Sequence, residues 1–147
     1  LLDLPNTIAV KWASPVIESF IEGVQKFEPR VAVVDNGPIP IFGHILGCRA
    51  FISHVPNYYP HHAWKVWDLM EAQRYQEAQK LYDNFMVPYT DLIGKVAAAT
   101  AGEGVFVRPG LEAAGLPTGY SRLPSRDAAI TDEVRDGFKC LLESQAD

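Results

Sequence analysis

Three short apolar runs, each followed by a turn signal and then by helical spacing, constrain this chain most. Residues 7–10 (Thr-Ile-Ala-Val) run into Lys11, and Ser14 and Pro15 then offer an N-cap and a first helical residue. Residues 31–34 (Val-Ala-Val-Val) run into Asp35-Asn36-Gly37-Pro38. Residues 51–55 (Phe-Ile-Ser-His-Val), led by Ala50, run into Pro56-Asn57-Tyr58-Tyr59-Pro60. Three strand–helix units within about 60 residues imply parallel strands joined by right-handed crossovers. The unbroken apolar run at 31–34 is what a strand covered on both faces requires.

The helical spacing is equally plain. Ile17, Phe20, Ile21, Val24 and Phe27 share one face after the first strand. Ile39, Phe42, Ile45 and Leu46 support a short helix after the second, with Gly47 placed to end it. A long helix is predicted over 61–87, broken near 74–76 and ended by Pro88. Residues 90–101 are alanine-rich and helix-compatible, 103–119 mix Gly, Pro and apolar residues, and 122–126 read as a loop. A last helix is expected over 131–144, capped by Thr131, with Val134, Phe138, Leu141 and Leu142 buried. Residues 1–5 read as the end of a helix running into a loop.

Composition narrows the function. The chain has 147 residues, 48% hydrophobic and 21% charged, with a net charge of −5. That is a soluble globular composition, and its acidic balance argues against a nucleic-acid partner. No run approaches a membrane span, and no signal peptide is visible. The chain opens on Leu-Leu-Asp-Leu without Met, so the natural N-terminus is expected elsewhere. Cys48 and Cys140 lack metal-ligand or redox spacing and read as free thiols in a reducing, cytoplasmic compartment.

Lys11 is the candidate with chemistry. A buried cation at a strand end is costly, and a desolvated amine is a good nucleophile for imine formation. Asp35 follows the second strand and fits either a turn role or a substrate contact. Ile52 and His54 share a face if both lie on the third strand. His61 and His62 are adjacent and so on different helix faces, a poor metal site, and Trp64 and Trp67 read as packing or interface residues.

The order Pro5-Asn6, Ala9-Val10-Lys11, Asp35-Asn36-Gly37, Gly47, Ile52-Ser53 and Asn57 to Pro60 resembles the dihydrodipicolinate synthase / N-acetylneuraminate lyase family. Val107-Arg108-Pro109, Leu116, Gly119-Tyr120 and Arg122-Leu123-Pro124 resemble its tail. The resemblance covers nearly the whole chain and only the C-terminal half of the family's sequence. It implies an α/β fold: the last three strand–helix units of a (β/α)8 TIM barrel over 1–87, then a C-terminal helical region over 88–147. An open doubly wound sheet is the rival, although no Gly-rich phosphate loop follows any of the strands.

The resemblance further implies a lyase whose Lys11 forms an imine with pyruvate or another 2-oxo acid. Ile52 would pack beside it with its carbonyl in the site, and Asp35 and His54 would touch substrate. It implies no cofactor and no metal. A 2-keto-3-deoxy sugar acid aldolase or dehydratase, a dihydrodipicolinate synthase, an N-acetylneuraminate lyase and a non-catalytic relative that binds a 2-oxo acid or a protein all stay open. The carboxylate-binding segment and proton-relay tyrosine would lie on earlier strands. An upstream segment of about 130–150 residues, on this or a separate chain, would complete the barrel. The assembly would be a homo-oligomer, a dimer or tetramer. Trp12 stands where many members carry an acidic residue, and Pro15 where many carry glycine.

Overall fold

A computed structural model describes residues 2–97, 104–120, 122 and 130–145, apart from the side chains of 104 and 105. The chain divides into two compact units, residues 1–53 and 54–147.

The first unit is built on a parallel sheet of order β1-β2-β3. Strand β1 is Ala9–Trp12, β2 is Ala32–Asp35 and β3 is Ala50–Phe51. Helix α1 (Ile17–Phe27) joins β1 to β2, and α2 (Pro40–Ile45) joins β2 to β3. Ala9 pairs with Ala32, Val10 with Val33, Lys11 with Val34 and Trp12 with Asp35. Val34 then pairs with Ala50 and Asp35 with Phe51. One face of the sheet packs on the helices through Phe20, Val24, Val33 and Cys48, with Val10, Trp12, Phe27, Phe42 and Leu46 around them.

Local chemistry shifts several boundaries. Helix α1 begins at Ile17, with Val16 as its N-cap, because the Ser14 hydroxyl accepts the Val16 amide at 3.2 Å and holds residues 14–16 in a turn. Ile17 is exposed, so the buried face runs through Phe20, Gly23 and Val24. The third strand is two residues rather than five. His54 leaves the extended region (φ −79°, ψ −24°) and opens a 3₁₀ turn, Val55–Asn57. Its carbonyl accepts the Asn57 amide at 3.2 Å and the Asn57 side-chain amide at 2.9 Å. Residues 2–6 form turns rather than a helix end.

The second unit is helical: α3 (Pro60–Glu71), α4 (Tyr75–Ala97), α5 (Gly104–Ala113) and α6 (Asp132–Glu143). Its core gathers Val55, Tyr58, Phe85, Tyr89, Val96, Ile130, Val134, Phe138 and Leu141. The expected break falls between α3 and α4, where Gln73 takes φ +58°. Pro88 does not end α4. Both Pro88 and Asn84, whose carbonyl loses its donor, are exposed residues, while Phe85 and Tyr89 continue the buried face past them. Helix α6 is capped as expected, with Thr131 Oγ1 accepting the Val134 amide at 3.3 Å. Residues 98–103, 121 and 123–129 lie outside the described residues, and with them Leu123-Pro124 and parts of the alanine-rich run and the 122–126 loop. No helix among the described residues is long and apolar enough to cross a membrane.

Candidate active site

Alternation along the strands decides which side chains share a face. Lys11, Ala9, Ala32, Val34 and Ala50 stand on the face turned away from α1 and α2. The Ile52 amide extends the ladder by donating to the Asp35 carbonyl at 2.8 Å, and alternation from Ala50 brings the Ile52 side chain toward this face. Lys11 is exposed and Ile52 is 44% exposed, with Val34 half-buried between the strands. Lys11 thus shares its face with alanines and a valine, and among the described residues its amine has no ion-pair or hydrogen-bond partner.

Lys11 lies on an edge. The Ala32 amide donates to the Ile8 carbonyl at 3.0 Å and the Asn36 amide to the Trp12 carbonyl at 2.9 Å. The backbone groups of Ala9 and Lys11 therefore point away from β2, toward the free side of the sheet. The burial expected around this strand is incomplete: Lys11 is exposed and Ile8, just before the strand, is 82% exposed.

Asp35 is placed otherwise than a substrate contact beside Lys11 requires. It pairs with Trp12, so it faces the helices, and it is 0% exposed. Its Oδ1 accepts the Gly37 amide at 2.6 Å, which is the turn role. Its Oδ2 has no hydrogen-bond partner among the described residues and lies 2.2 Å from where a Cβ on Gly43 would stand, so α2 needs glycine there. Burial raises the Asp35 carboxyl above its ordinary value, while the Gly37 hydrogen bond partly opposes the shift. Burial, and secondarily Asp35, pushes the Cys48 thiol up to about 11.

His54 belongs to the helical unit, with its ring 6.1 Å from Phe106. The third strand ends at Phe51 and residue 54 lacks strand geometry, so the face expected to be shared with Ile52 does not extend to His54. His61 is exposed and His62 buried, as adjacent helical positions require. Among the described residues no group of three or more His, Cys, Asp or Glu is arranged to hold a metal ion.

The residue that sequence reasoning left without a role is Trp12. Its indole Nε1 donates to the Phe20 carbonyl at 3.2 Å, and its ring meets Phe27 edge-on at 5.3 Å. The available signal was its alternation with Lys11 combined with Gly23 in the middle of α1.

A parallel sheet with helical crossovers and a lysine on its open face defines an α/β protein. Its fold is similar to parts of solved lyase-type structures. The chain is 22% identical to a protein assigned as a dihydrodipicolinate synthetase from Pseudomonas aeruginosa, with a TM-score of 0.78 over 96% of this chain and 46% of that one. It is 21% identical to CdNal from Clostridium difficile, solved in complex with mannosamine, with a TM-score of 0.72 over 93% of this chain and 44% of that one. It is 21% identical to N-acetylneuraminate lyase from Fusobacterium nucleatum, with a TM-score of 0.68 over 93% and 44%. The chain spans less than half the length of the solved structures it matches. The likeness is one of fold, and it falls on the family that the sequence resembles. No family model matches the sequence, and no curated protein matches it.

Proposed function

We propose that this chain is the lysine-bearing part of a Schiff-base-forming lyase or aldolase acting on pyruvate or a related 2-oxo acid. The observation that carries the reading is the placement of Lys11 near the C-terminal end of a parallel strand, on the sheet face that the helices leave open. The names of the fold neighbours support the same chemistry.

The Lys11 amine adds to the substrate carbonyl carbon, water leaves, and an imine forms. Protonated, the imine draws electrons from the adjoining carbon, which permits cleavage or formation of a carbon–carbon bond or loss of a hydroxyl. Ile52, two strands from Lys11 on the same face, would line the pocket. The groups that hold the substrate carboxylate and relay protons come from outside residues 1–53. In this reading the three strands are the last of a (β/α)8 barrel, and an upstream segment on this or a separate chain adds its strand to the free edge of β1. The assembly works in the cytoplasm as a homo-oligomer without a cofactor.

A polyhydroxylated sugar acid would call on Asp35 and His54 as hydroxyl-binding groups. Asp35 faces the helices and His54 stands outside the strands, so a simpler 2-oxo acid suits the Lys11 face better.

Incubating the complete protein that carries this chain with pyruvate and borohydride should leave a covalent adduct on Lys11. Lys11→Ala should abolish trapping and turnover while leaving the fold intact. An adduct on a different lysine, or full activity in the variant, would overturn the proposal. Binding of a 2-oxo acid with no adduct at all would point to a non-catalytic relative.

A further inference from the structure

Among the described residues β1 pairs with β2 alone, and its second anchor is the side chain of Trp12, packed on α1. Trp12 is attached to α1 at three places along one helix face. Its Nε1 donates to the Phe20 carbonyl at 3.2 Å. Its ring lies where Gly23 leaves room, since a Cβ there would sit 2.3 Å from Cε2 and Nε1. Phe27 meets it edge-on at 5.3 Å, the rings inclined by 75°. Residues 20, 23 and 27 recur at helical spacing, so one indole spans two turns of α1. Successive strand side chains point to opposite faces, so fixing Trp12 on the helix side fixes the direction of Lys11 on the open side.

We propose that Trp12 is the positioning residue for Lys11: its indole, locked to Phe20, Gly23 and Phe27, sets the angle at which the amine meets a 2-oxo acid carbonyl. This rests on the function proposed above. Such placement matters because imine formation needs the amine aligned with the carbonyl carbon, and small misplacements of a reacting group cost large factors in rate.

The test is a cycle of variants in the complete protein. Trp12→Phe keeps an aromatic ring and loses the N–H donor and the second ring. Gly23→Ala puts a methyl into the indole. Each variant should slow borohydride trapping of pyruvate on Lys11, and kcat, by about tenfold, with KM little changed, because the groups that bind substrate lie elsewhere. A phenyl ring would still occupy the place of Cε2 and Nε1, so the double variant is judged against Trp12→Ala: Trp12→Ala with Gly23→Ala should be no slower than Trp12→Ala alone, because no ring remains for the new methyl to strike. Lower melting temperatures with unchanged trapping rates would overturn the positioning role and leave the function standing. Independent, multiplying losses in the double variant would overturn it too. No adduct in the unaltered protein would remove both proposals.

Discussion

Lys11 and Asp35 lie on neighbouring strands and on opposite faces of the sheet. Lys11 pairs with Val34, and Asp35 pairs with Trp12. A single residue of register separates a side chain on the open face from one sealed against α2.

Asp35 is therefore expected to act on stability rather than on substrate choice. Burial raises its folded-state value above 3.8, so its contribution to stability is fully present below that pH and is lost as pH rises through the raised value. Asp35→Asn keeps an acceptor for the Gly37 amide and removes the charge. Urea unfolding across this range should show the parent losing stability relative to the variant as pH rises. The ratio of kcat/KM for a hydroxylated and an unhydroxylated 2-oxo acid should stay the same. A changed ratio would return Asp35 to the site.

His62 gives a dependence of the opposite sign. It is 3% exposed, its Nε2 is 3.1 Å from the Leu81 carbonyl, and the rings of Tyr59, Tyr82 and Phe85 surround it. Burial lowers its value from 6.5, the Leu81 carbonyl opposes that shift, and Lys65 adds a smaller push downward. The neutral ring is favoured in the fold, so its stability is present above 6.5 and declines as pH falls below it. His62→Phe should remove this acid sensitivity from the melting curve, at a cost of about 1 kcal/mol for the lost hydrogen bond. An unaltered slope between neutral and mildly acid pH would exclude His62 as its source.

Pro88 offers a gain. It lies inside α4 on the exposed side and cannot donate to the carbonyl of Asn84. Pro88→Ala should restore that bond and raise stability by about 1 kcal/mol, after allowing for the freer unfolded chain. Chemical denaturation with an unchanged slope and a higher midpoint is the expected result. A lower midpoint would show that the ring packs usefully where it stands.

The order of strands and crossovers was legible because unbroken apolar runs such as Val31 to Val34 have few other uses. The cap of α6 was legible because Thr131, Asp132 and Glu133 act within one turn. What escaped depends on partners distant in sequence. Helix α5 looked irregular because it contains Pro109 and Gly110. Yet a Cβ on Gly110 would sit 2.5 Å from the Tyr58 ring, so this glycine permits packing rather than breaking a helix. The faces of Lys11 and Asp35 follow from register, which neighbouring strands set together. His54 was read as a strand residue because the apolar run continued to Val55, whereas a 3₁₀ turn claimed it.

Packing has also divided the chain's two thiols. Cys48 is 3% exposed, and its thiol is pushed up to about 11, so it is both shielded and almost wholly protonated at neutral pH. Cys140 is free and open to solvent on α6. Thiolate fraction and access together govern alkylation, and at Cys48 both are unfavourable. The molecule thus carries a built-in attachment point for a fluorophore or spin label on its last helix, while the sheet that bears Lys11 stays unmarked.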